Sequence, residues 1–174
     1  VIEGLTDNTF LGHSVSDAGD VNGDGYDDFI IGAYQADPNE TNAGASYVVY
    51  GRPNSGGNKI GTSIDLAQIT ADIGGFVING ALENDQSGYS VSGAGDVNGD
   101  GYDDVIIGAP YADPNDFSGS GASFVVFGSA VGAAFELADL ATGAAADPAT
   151  GFVINGVSVD DYSGYSVSGA GDVN

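Results

Sequence analysis

The sequence contains no cysteine and no methionine, and its only basic residues are Arg52 and Lys59. Without cysteine, neither a disulfide nor thiol chemistry is available to the protein. The 25 acidic residues give a formal net charge of -23, so nucleic acid and anionic membranes would both repel the chain. We therefore expect no nucleic-acid partner.

The sequence also lacks the segments that direct a protein into or across a membrane. No apolar run approaches the length of a membrane span, and no signal peptide is recognisable. We therefore expect no membrane insertion. Because position 1 is not methionine, we expect the chain to be a processed product or a piece of a longer protein, from which a signal could have been removed.

The sequence does contain enough apolar residues to build a core. Hydrophobic residues make up 42% of it and aromatic residues 10%, which is not the composition of an acidic disordered chain. The 30 glycines indicate many tight turns and therefore predict short strands rather than helices.

The dominant feature of the sequence is an internal repeat with a period of 76 residues, marked by Asp20, Asp96 and Asp172. Residues 13–33 match residues 89–109 at 18 of 21 positions. We therefore divide the chain into repeat 1 at 1–76, repeat 2 at 77–152 and the start of repeat 3 at 153–174.

Each period contains four predicted strands, because short runs of β-branched and aromatic residues alternate with glycine and aspartate. In the second period the predicted strands are 88–95, 104–108, 122–127 and 152–155. The segments 64–69 and 135–140 have some helical character, and we interpret both as a helical turn or an irregular loop. Four strands per period are the unit of a β-propeller blade.

We predict an all-β fold made of β-propeller blades, each with four antiparallel strands. Two blades are complete, at about 10–81 and 86–157; the first few residues belong to a preceding blade, and residues from about 162 onward begin the next one. A closed propeller needs about four to eight blades, so the chain cannot close alone. Either further blades of the same protein complete the ring, or neighbouring copies supply strands by complementation in a filament or a ring.

Both complete periods contain the same acidic loop between their first two predicted strands. Oxygens at positions 1, 3 and 5 of a tight loop can converge on one cation, and a glycine at position 6 permits the turn that adds a backbone carbonyl at position 7. A carboxylate at position 9 completes the set. The predicted ligands are Asp20, Asn22, Asp24, the Tyr26 carbonyl and Asp28 in the first loop, and Asp96, Asn98, Asp100, the Tyr102 carbonyl and Asp104 in the second. Asp172 and Asn174 begin a third loop, which is incomplete within this sequence.

The donor set indicates which cation to expect. All the donors are hard oxygens with no histidine or cysteine near them, which disfavours zinc and copper. Magnesium prefers a small octahedron that keeps several waters, whereas five protein oxygens favour calcium. We predict two complete Ca²⁺ sites with a structural role. A solvated turn of aspartate and glycine without metal is the simpler alternative, and the repetition of nine near-identical residues disfavours it.

These residues resemble the FG-GAP repeat, which forms the blades of integrin α-subunit propellers and of many secreted bacterial proteins. The resemblance covers the whole chain and rests on the segments 95–104, 105–110 and 121–128. The Gly-Ala-Pro element of the family ends at Pro110 in the second copy, whereas the first copy has Tyr34 at that place. The Phe-Gly element is degenerate in all copies.

The resemblance implies a seven-bladed propeller in the parent protein, with calcium bound between the first two strands of a blade. It also implies an extracellular or cell-surface location and a scaffold role in adhesion or in binding a protein or glycan ligand. We therefore expect a calcium-binding extracellular module with a structural or adhesive function. The alternatives are a non-catalytic propeller domain of a secreted hydrolase, and a subunit of the calcium-dependent filament or ring described above.

We find no set of catalytic residues and predict that the chain is not an enzyme. His13 is the only histidine, and because its counterparts are Tyr89 and Tyr165, we expect it to fill an aromatic packing position. The segment 12–16 approaches the Gly-x-Ser-x-Gly pattern of hydrolases, but its last residue is serine. We interpret the Asp-Pro-Asn segments 37–39 and 113–115 as turns, with an extension of a cation site as the alternative.

Overall fold

The computed structural model describes residues 2–3, 9–52, 64–69, 74–130, 134–141 and 150–171. In chain order its elements are β1 (Ile2–Glu3), β2 (Ser14–Gly19), β3 (Asp28–Ala33), β4 (Ala45–Val49), β5 (Ile64–Asp65), α1 (Leu66–Ile69), β6 (Gly75–Asn79), β7 (Ser90–Gly95), β8 (Asp104–Ala109), β9 (Ala122–Val126), β10 (Phe135–Glu136), α2 (Leu137–Ala141) and β11 (Gly151–Asn155). A 3₁₀ turn, Pro114–Asp116, follows β8.

The strands form two antiparallel sheets with the same order. The first sheet consists of β2, β3, β4 and β6 as successive neighbours, and the second consists of β7, β8, β9 and β11. Every residue of β4 and β9 is buried, because both faces of these strands are covered and their β-branched and aromatic side chains suit that position. The prediction of blades with four antiparallel strands is confirmed.

The first hairpin of each blade contains a β-bulge that leads into the acidic loop. The register between β2 and β3 shifts between Asp17 and Gly19, and the register between β7 and β8 shifts between Gly93 and Gly95. Gly19 has φ = 70° and Gly95 has φ = 71°, a left-handed conformation that glycine adopts without steric cost. The backbone therefore enters the two acidic loops in the same conformation.

The segment between the third and fourth strands of each blade reaches back to the preceding blade, and we call this paired segment the strap. In the second blade the strap is β10, which pairs in parallel with β6 and places Phe135 opposite Ile78. In the first blade the strap is β5, which pairs in the same way with β1 and places Ile64 opposite Ile2. The helical turns α1 and α2 follow the straps, so the predicted helical turns are confirmed, whereas the paired residues before them were not predicted. The predicted partial strand at the start of the chain is present as β1.

Glu136 fixes the second strap through its carboxylate. Its Oε1 accepts a hydrogen bond from Asn79 Nδ2 at 2.6 Å, and its Oε2 accepts one from Asn39 Nδ2 at 2.8 Å. An open strand edge is a template for pairing with other chains, and the strap covers the last two residues of β6, Ile78 and Asn79, on its outer edge.

A hydrophobic core lies between the two blades. Ile30 and Ile78 of the first blade belong to the same buried cluster as Ile107, Phe124 and Leu137 of the second. A second buried cluster covers the opposite face of the first sheet, where it includes residues of α1. Each sheet thus buries apolar side chains against the next layer, as a propeller blade must.

The backbones of the two blades also meet directly. Gly44 and Ser87 form an isolated parallel bridge, and Gly121 and Ser163 form the equivalent bridge one repeat later. Each bridge joins the residue before the third strand of a blade to the segment that leads into the next blade.

Residues 164–171 do not form the strand that we predicted from about residue 162 onward. In the part of the chain that the structure describes, the residues after Ser163 have no strand partner. The equivalent strand β7 is held by its ladder with β8. The described residues after Ser163 contain no equivalent of this ladder.

The close approach of Gly32 to Gly88 provides a test of the contact between the blades. A Cβ atom on Gly32 would overlap the carbonyl oxygen of Gly88, and a backbone atom cannot rotate away as a side chain can. We expect Gly32→Ala to lower the free energy of unfolding, measured by urea denaturation, by about 1–3 kcal/mol. Val15→Ala, at an exposed position of β2, should change it by less than about 0.5 kcal/mol. Equal stabilities of Gly32→Ala and the wild type would contradict the contact.

Candidate metal centre

The two acidic loops lie where the sequence predicted them, between the first two strands of each blade. Residues 20–28 connect β2 to β3, and residues 96–104 connect β7 to β8. The glycines at position 6, Gly25 and Gly101, have φ values of 88° and 93°. Only glycine adopts this conformation without steric cost, so the sharp turn that the predicted ligand set requires is present.

Hydrogen bonds from backbone amides to the first acidic side chains organise each loop. In the first loop, the Asp20 carboxylate accepts from the amides of Asp24 and Gly25 at 2.9 and 2.8 Å. Asn22 Oδ1 accepts from the Asp24 amide at 2.9 Å, and Asp24 Oδ1 accepts from the Tyr26 amide at 3.0 Å. The second loop makes the same four hydrogen bonds at 2.9–3.0 Å. The side chains at positions 1, 3 and 5 therefore fold over the same turn of backbone.

The aspartate at position 9 is the most buried carboxylate of each loop. Asp28 is 2% exposed and Asp104 is 0% exposed. Asp28 Oδ2 accepts from the Val21 amide at 3.0 Å, and its Oδ1 accepts from the Gly51 amide at 2.8 Å. Asp104 makes the matching pair of hydrogen bonds in the second blade, at 2.8 and 2.9 Å. Position 9 therefore joins the loop, the start of the second strand and the segment after the third strand.

The electrostatic environment of position 9 disfavours a negative charge. Burial raises the pKa of the Asp28 carboxyl from its ordinary value of 3.8 to about 6. The charges of Asp24 and Asp20 raise this pKa further, and the two backbone hydrogen bonds oppose the shift. Burial likewise raises the pKa of Asp104, and the charge of Asp100 adds to the effect. A divalent cation would favour the ionised carboxylates at such a position.

The chemistry of the donor set fits calcium. Within the described residues, no three Asp, Glu, His or Cys side chains are grouped as they would be around a metal ion, and the loop carboxylates are directed at backbone amides. An ionised carboxylate offers about four lone-pair positions, so an oxygen that accepts one amide retains capacity for a cation. All the donors are oxygens, as calcium prefers. Asp172 and Asn174, the start of the third loop, lie outside the described residues.

The Asp-Pro-Asn segments lie at the opposite end of each blade from the acidic loops. Asp37 and Asp113 follow β3 and β8, whereas the acidic loops precede these strands. Asp37 Oδ1 accepts from the Asn42 amide and Asp113 Oδ1 accepts from the Gly119 amide, each at 2.6 Å. Both segments are therefore turns, as predicted, and they lie away from the candidate metal centre.

His13 packs among aromatic rings, which confirms the packing position expected from the repeat. Its ring centroid lies 4.7 Å from that of Tyr34 and 4.9 Å from that of Tyr89. Ser14, the serine of the hydrolase-like pattern, is the first residue of β2. The pattern therefore leads into a strand of a hairpin and lacks the strand-to-helix turn of a hydrolase nucleophile.

The structure brings the two acidic loops into contact, which the sequence analysis missed. Asp103, at position 8 of the second loop, accepts at Oδ2 a hydrogen bond from the Asp20 amide at 2.8 Å. The Asp103 amide donates to the Asp20 carbonyl oxygen at 3.2 Å. Position 8 is aspartate in both loops, as Asp27 and Asp103, and this repetition was the available sequence signal.

Comparison with known proteins identifies the repeats. The family model for the FG-GAP repeat matches residues 14–49 and 87–126, which contain the first three strands and the acidic loop of each blade. Integrin alpha pat-2 of Caenorhabditis elegans is 36% identical over 122 residues, which are 69% of this chain and 9% of that protein. Integrin alpha-7 of Mus musculus is 32% identical over 155 residues, which are 88% of this chain and 10% of that protein. The chain thus spans about a tenth of the length of these curated relatives.

The two sheets are β-propeller blades, each with an acidic loop between its first two strands. The chain belongs to the FG-GAP repeat family, and its repeats are similar to those of integrin α subunits. The resemblance drawn from the sequence motifs is therefore confirmed.

We expect the aspartate at position 9 to stabilise its blade even without a bound cation. Asp28→Ala leaves two buried backbone amides without their acceptor, which should lower the free energy of unfolding in EDTA by about 2 kcal/mol. Asp27→Ala removes the adjacent, exposed carboxylate and should change it by less than about 0.5 kcal/mol. Urea denaturation measures both variants. If the two variants are equally stable, position 9 does not have this structural role.

Proposed function

We propose that this chain is a calcium-binding structural module of an integrin-like adhesion protein. The observation that carries the proposal is the pair of equivalent loops that place a buried aspartate, Asp28 in one and Asp104 in the other, beside the other carboxylates of the loop. Burial is the main cause of the raised pKa of each buried aspartate, and the charges of the neighbouring carboxylates add repulsion. A cation bound in the loop would remove this repulsion. Its role would be structural, because each loop connects two strands of one blade.

The residues that would hold the cation are those predicted from the sequence. They are Asp20, Asn22, Asp24, Tyr26 through its carbonyl, and Asp28 in the first loop, and Asp96, Asn98, Asp100, Tyr102 through its carbonyl, and Asp104 in the second. Bound calcium would supply a positive charge that no side chain of either loop provides. The amide hydrogen bonds within each loop hold positions 1, 3 and 5 over the turn, and those to Asp28 and Asp104 fix position 9. Asp172 and Asn174 would begin a third site.

We propose an extracellular or cell-surface location, with a protein or glycan as the adhesive ligand. Support comes from the similarity to integrin α subunits and from the net charge of -23, which external calcium would partly neutralise. Calcium sites of extracellular modules have dissociation constants of roughly 10⁻⁴ to 10⁻³ M. No helix in the described part of the chain is long and apolar enough to cross a membrane.

We propose that the module is non-catalytic, whether it serves adhesion or forms a domain of a secreted hydrolase. The packing of His13 against Tyr34 and Tyr89 supports this proposal, because it assigns the histidine a place among aromatic rings.

We expect 10 mM Ca²⁺ to raise the melting temperature by about 10 °C relative to excess EDTA. The reason is that two bound ions stabilise the folded state, if both sites have the affinity typical of extracellular modules. Differential scanning calorimetry measures the shift. The same concentration of Mg²⁺ should give a much smaller shift, because five protein oxygens suit the larger ion better.

Matched variants separate binding in the loops from general screening of negative charge. Asp24→Ala combined with Asp100→Ala removes one exposed carboxylate from each loop and should abolish most of the calcium-dependent shift. Glu40→Ala combined with Glu83→Ala removes the same charge from exposed positions outside the loops and should preserve the shift. A melting temperature that is the same in calcium and EDTA would overturn the calcium proposal.

A second proposal concerns the outer edge of the second blade, where the structure shows no strap within the described residues. Phe152 and Ile154 of β11 are 40% and 49% exposed, whereas their counterparts Phe76 and Ile78 of β6 are 6% and 0% exposed. The difference arises because β6 is covered by the second blade and its strap. We propose that a further blade covers β11 in the same way, supplied by the same protein or by a neighbouring copy.

The native mass of the isolated 174-residue chain distinguishes these two sources. If neighbouring copies cover β11, we expect multiples of 17.2 kDa by native mass spectrometry, more abundant in calcium than in EDTA. Ile154→Lys should shift the population to single chains, and Leu82→Lys, at an exposed apolar residue outside β11, should not. A single-chain mass under all conditions would reject assembly by neighbouring copies.

A further inference from the structure

The contact between the two acidic loops links one predicted ligand set to the other. Asp103 Oδ2 accepts from the Asp20 amide at 2.8 Å, and the Asp103 amide donates to the Asp20 carbonyl oxygen at 3.2 Å. Asp20 occupies position 1 of its loop. Asp103 lies between Tyr102 and Asp104, which occupy positions 7 and 9 of the second loop. The start of one loop is therefore hydrogen-bonded to the end of the other.

Two glycines of the first loop region make room for this contact. A Cβ atom on Gly19 would overlap the Asp103 carboxylate, and one on Gly23 would overlap the ring of Tyr102. The carbonyl oxygen of Val21 accepts a further hydrogen bond, at 3.0 Å, from an amide in the segment after β9. The first half of the first loop is thus packed against the second blade.

We propose that Asp103 couples the two loops, so that a cation in the second loop strengthens cation binding in the first. This inference rests on the proposed function. A cation held by Tyr102 and Asp104 would restrict the backbone on both sides of Asp103 and fix the direction of its carboxylate. That carboxylate holds the Asp20 amide, and with it the start of the first loop.

The energetic basis of the coupling is conformational entropy. A loop whose first residue is already ordered loses less freedom when it binds an ion, so its affinity is higher. Linkage requires that the first ion strengthen binding of the second by the same factor. Asp103 acts as a positioning residue in this scheme, because its carboxylate contacts the backbone of Asp20 rather than a predicted ion position.

Asp27 provides an internal control for this role. It occupies position 8 of the first loop, as Asp103 does in the second, but its side chain is exposed and takes no part in the contact between the loops. Asp27→Ala and Asp103→Ala therefore each remove one negative charge from position 8 of a loop. Only Asp103→Ala also removes the hydrogen bond between the loops.

The test follows Ca²⁺ binding at each loop separately, through the NMR signals of the Gly25 and Gly101 amides, which donate to Asp20 and Asp96. Asp100→Ala disables the second loop. We expect it to weaken Ca²⁺ binding at Gly25 by about fivefold, the lower end of the range for coupled sites. In the Asp103→Ala background, disabling the second loop should change the affinity at Gly25 by less than about twofold.

Two further variants separate coupling from a general loss of stability. Asp103→Asn keeps an acceptor oxygen and should restore most of the coupling that Asp103→Ala removes. Asp27→Ala should retain the full effect of Asp100→Ala. Hydrogen exchange of the Asp20 amide in metal-free protein gives a second readout, which Asp103→Ala should accelerate and Asp27→Ala should leave unchanged.

The outcomes distinguish this inference from the proposed function. If both loops bind Ca²⁺ and the effect of Asp100→Ala persists in the Asp103→Ala background, the coupling is refuted and the calcium proposal stands. If neither loop binds Ca²⁺, the calcium proposal fails and the coupling of ions fails with it. Exchange of the Asp20 amide then still shows whether Asp103 orders the first loop.

Discussion

Each blade depends on one carboxylate that is almost inaccessible to solvent. Asp28 and its counterpart Asp104 accept hydrogen bonds from the loop before them and from the chain after the third strand. Burying a negative charge costs free energy, and the raised pKa of Asp28 reflects that cost. The hydrogen bonds offset part of it. The loop therefore combines a geometry that backbone amides already hold with a charge balance that a cation would improve.

The same loops take part in joining one blade to the next. Asp103 holds the backbone of Asp20 although both loops carry several negative charges, because its carboxylate meets an amide rather than another carboxylate. The apolar cluster between the sheets and the bridge between Gly44 and Ser87 add contacts along the rest of the joint. The same residues therefore order a loop within one blade and join that blade to the next. This is expected of a repeat array whose units bury their faces against one another.

The repeat made most of the fold predictable, because strands and acidic loops recur one period apart. The strap β10 was not predictable, since its two residues have no pattern of their own and are defined by pairing with β6 of the preceding blade. The strand predicted from residue 162 onward is absent from residues 164–171 for a related reason, because a β-strand is defined by its pairing with a partner strand. In the candidate metal centre, spacing was enough to predict the position of the loop and of the carboxylate of Asp28. The contact of Asp103 depends on how the blades are oriented, which no local spacing encodes.

The straps have a mechanical consequence. The contact between Asp20 and Asp103 ties the two blades beside β2, at one edge of the first sheet, whereas the pairing of β10 with β6 ties them at the opposite edge. Two blades joined along one line could rotate about that line, whereas a second attachment away from the line prevents this rotation. Rotation of one blade against the other would therefore have to break one of these attachments, and a pulling force on one blade would pass to the next through both of them.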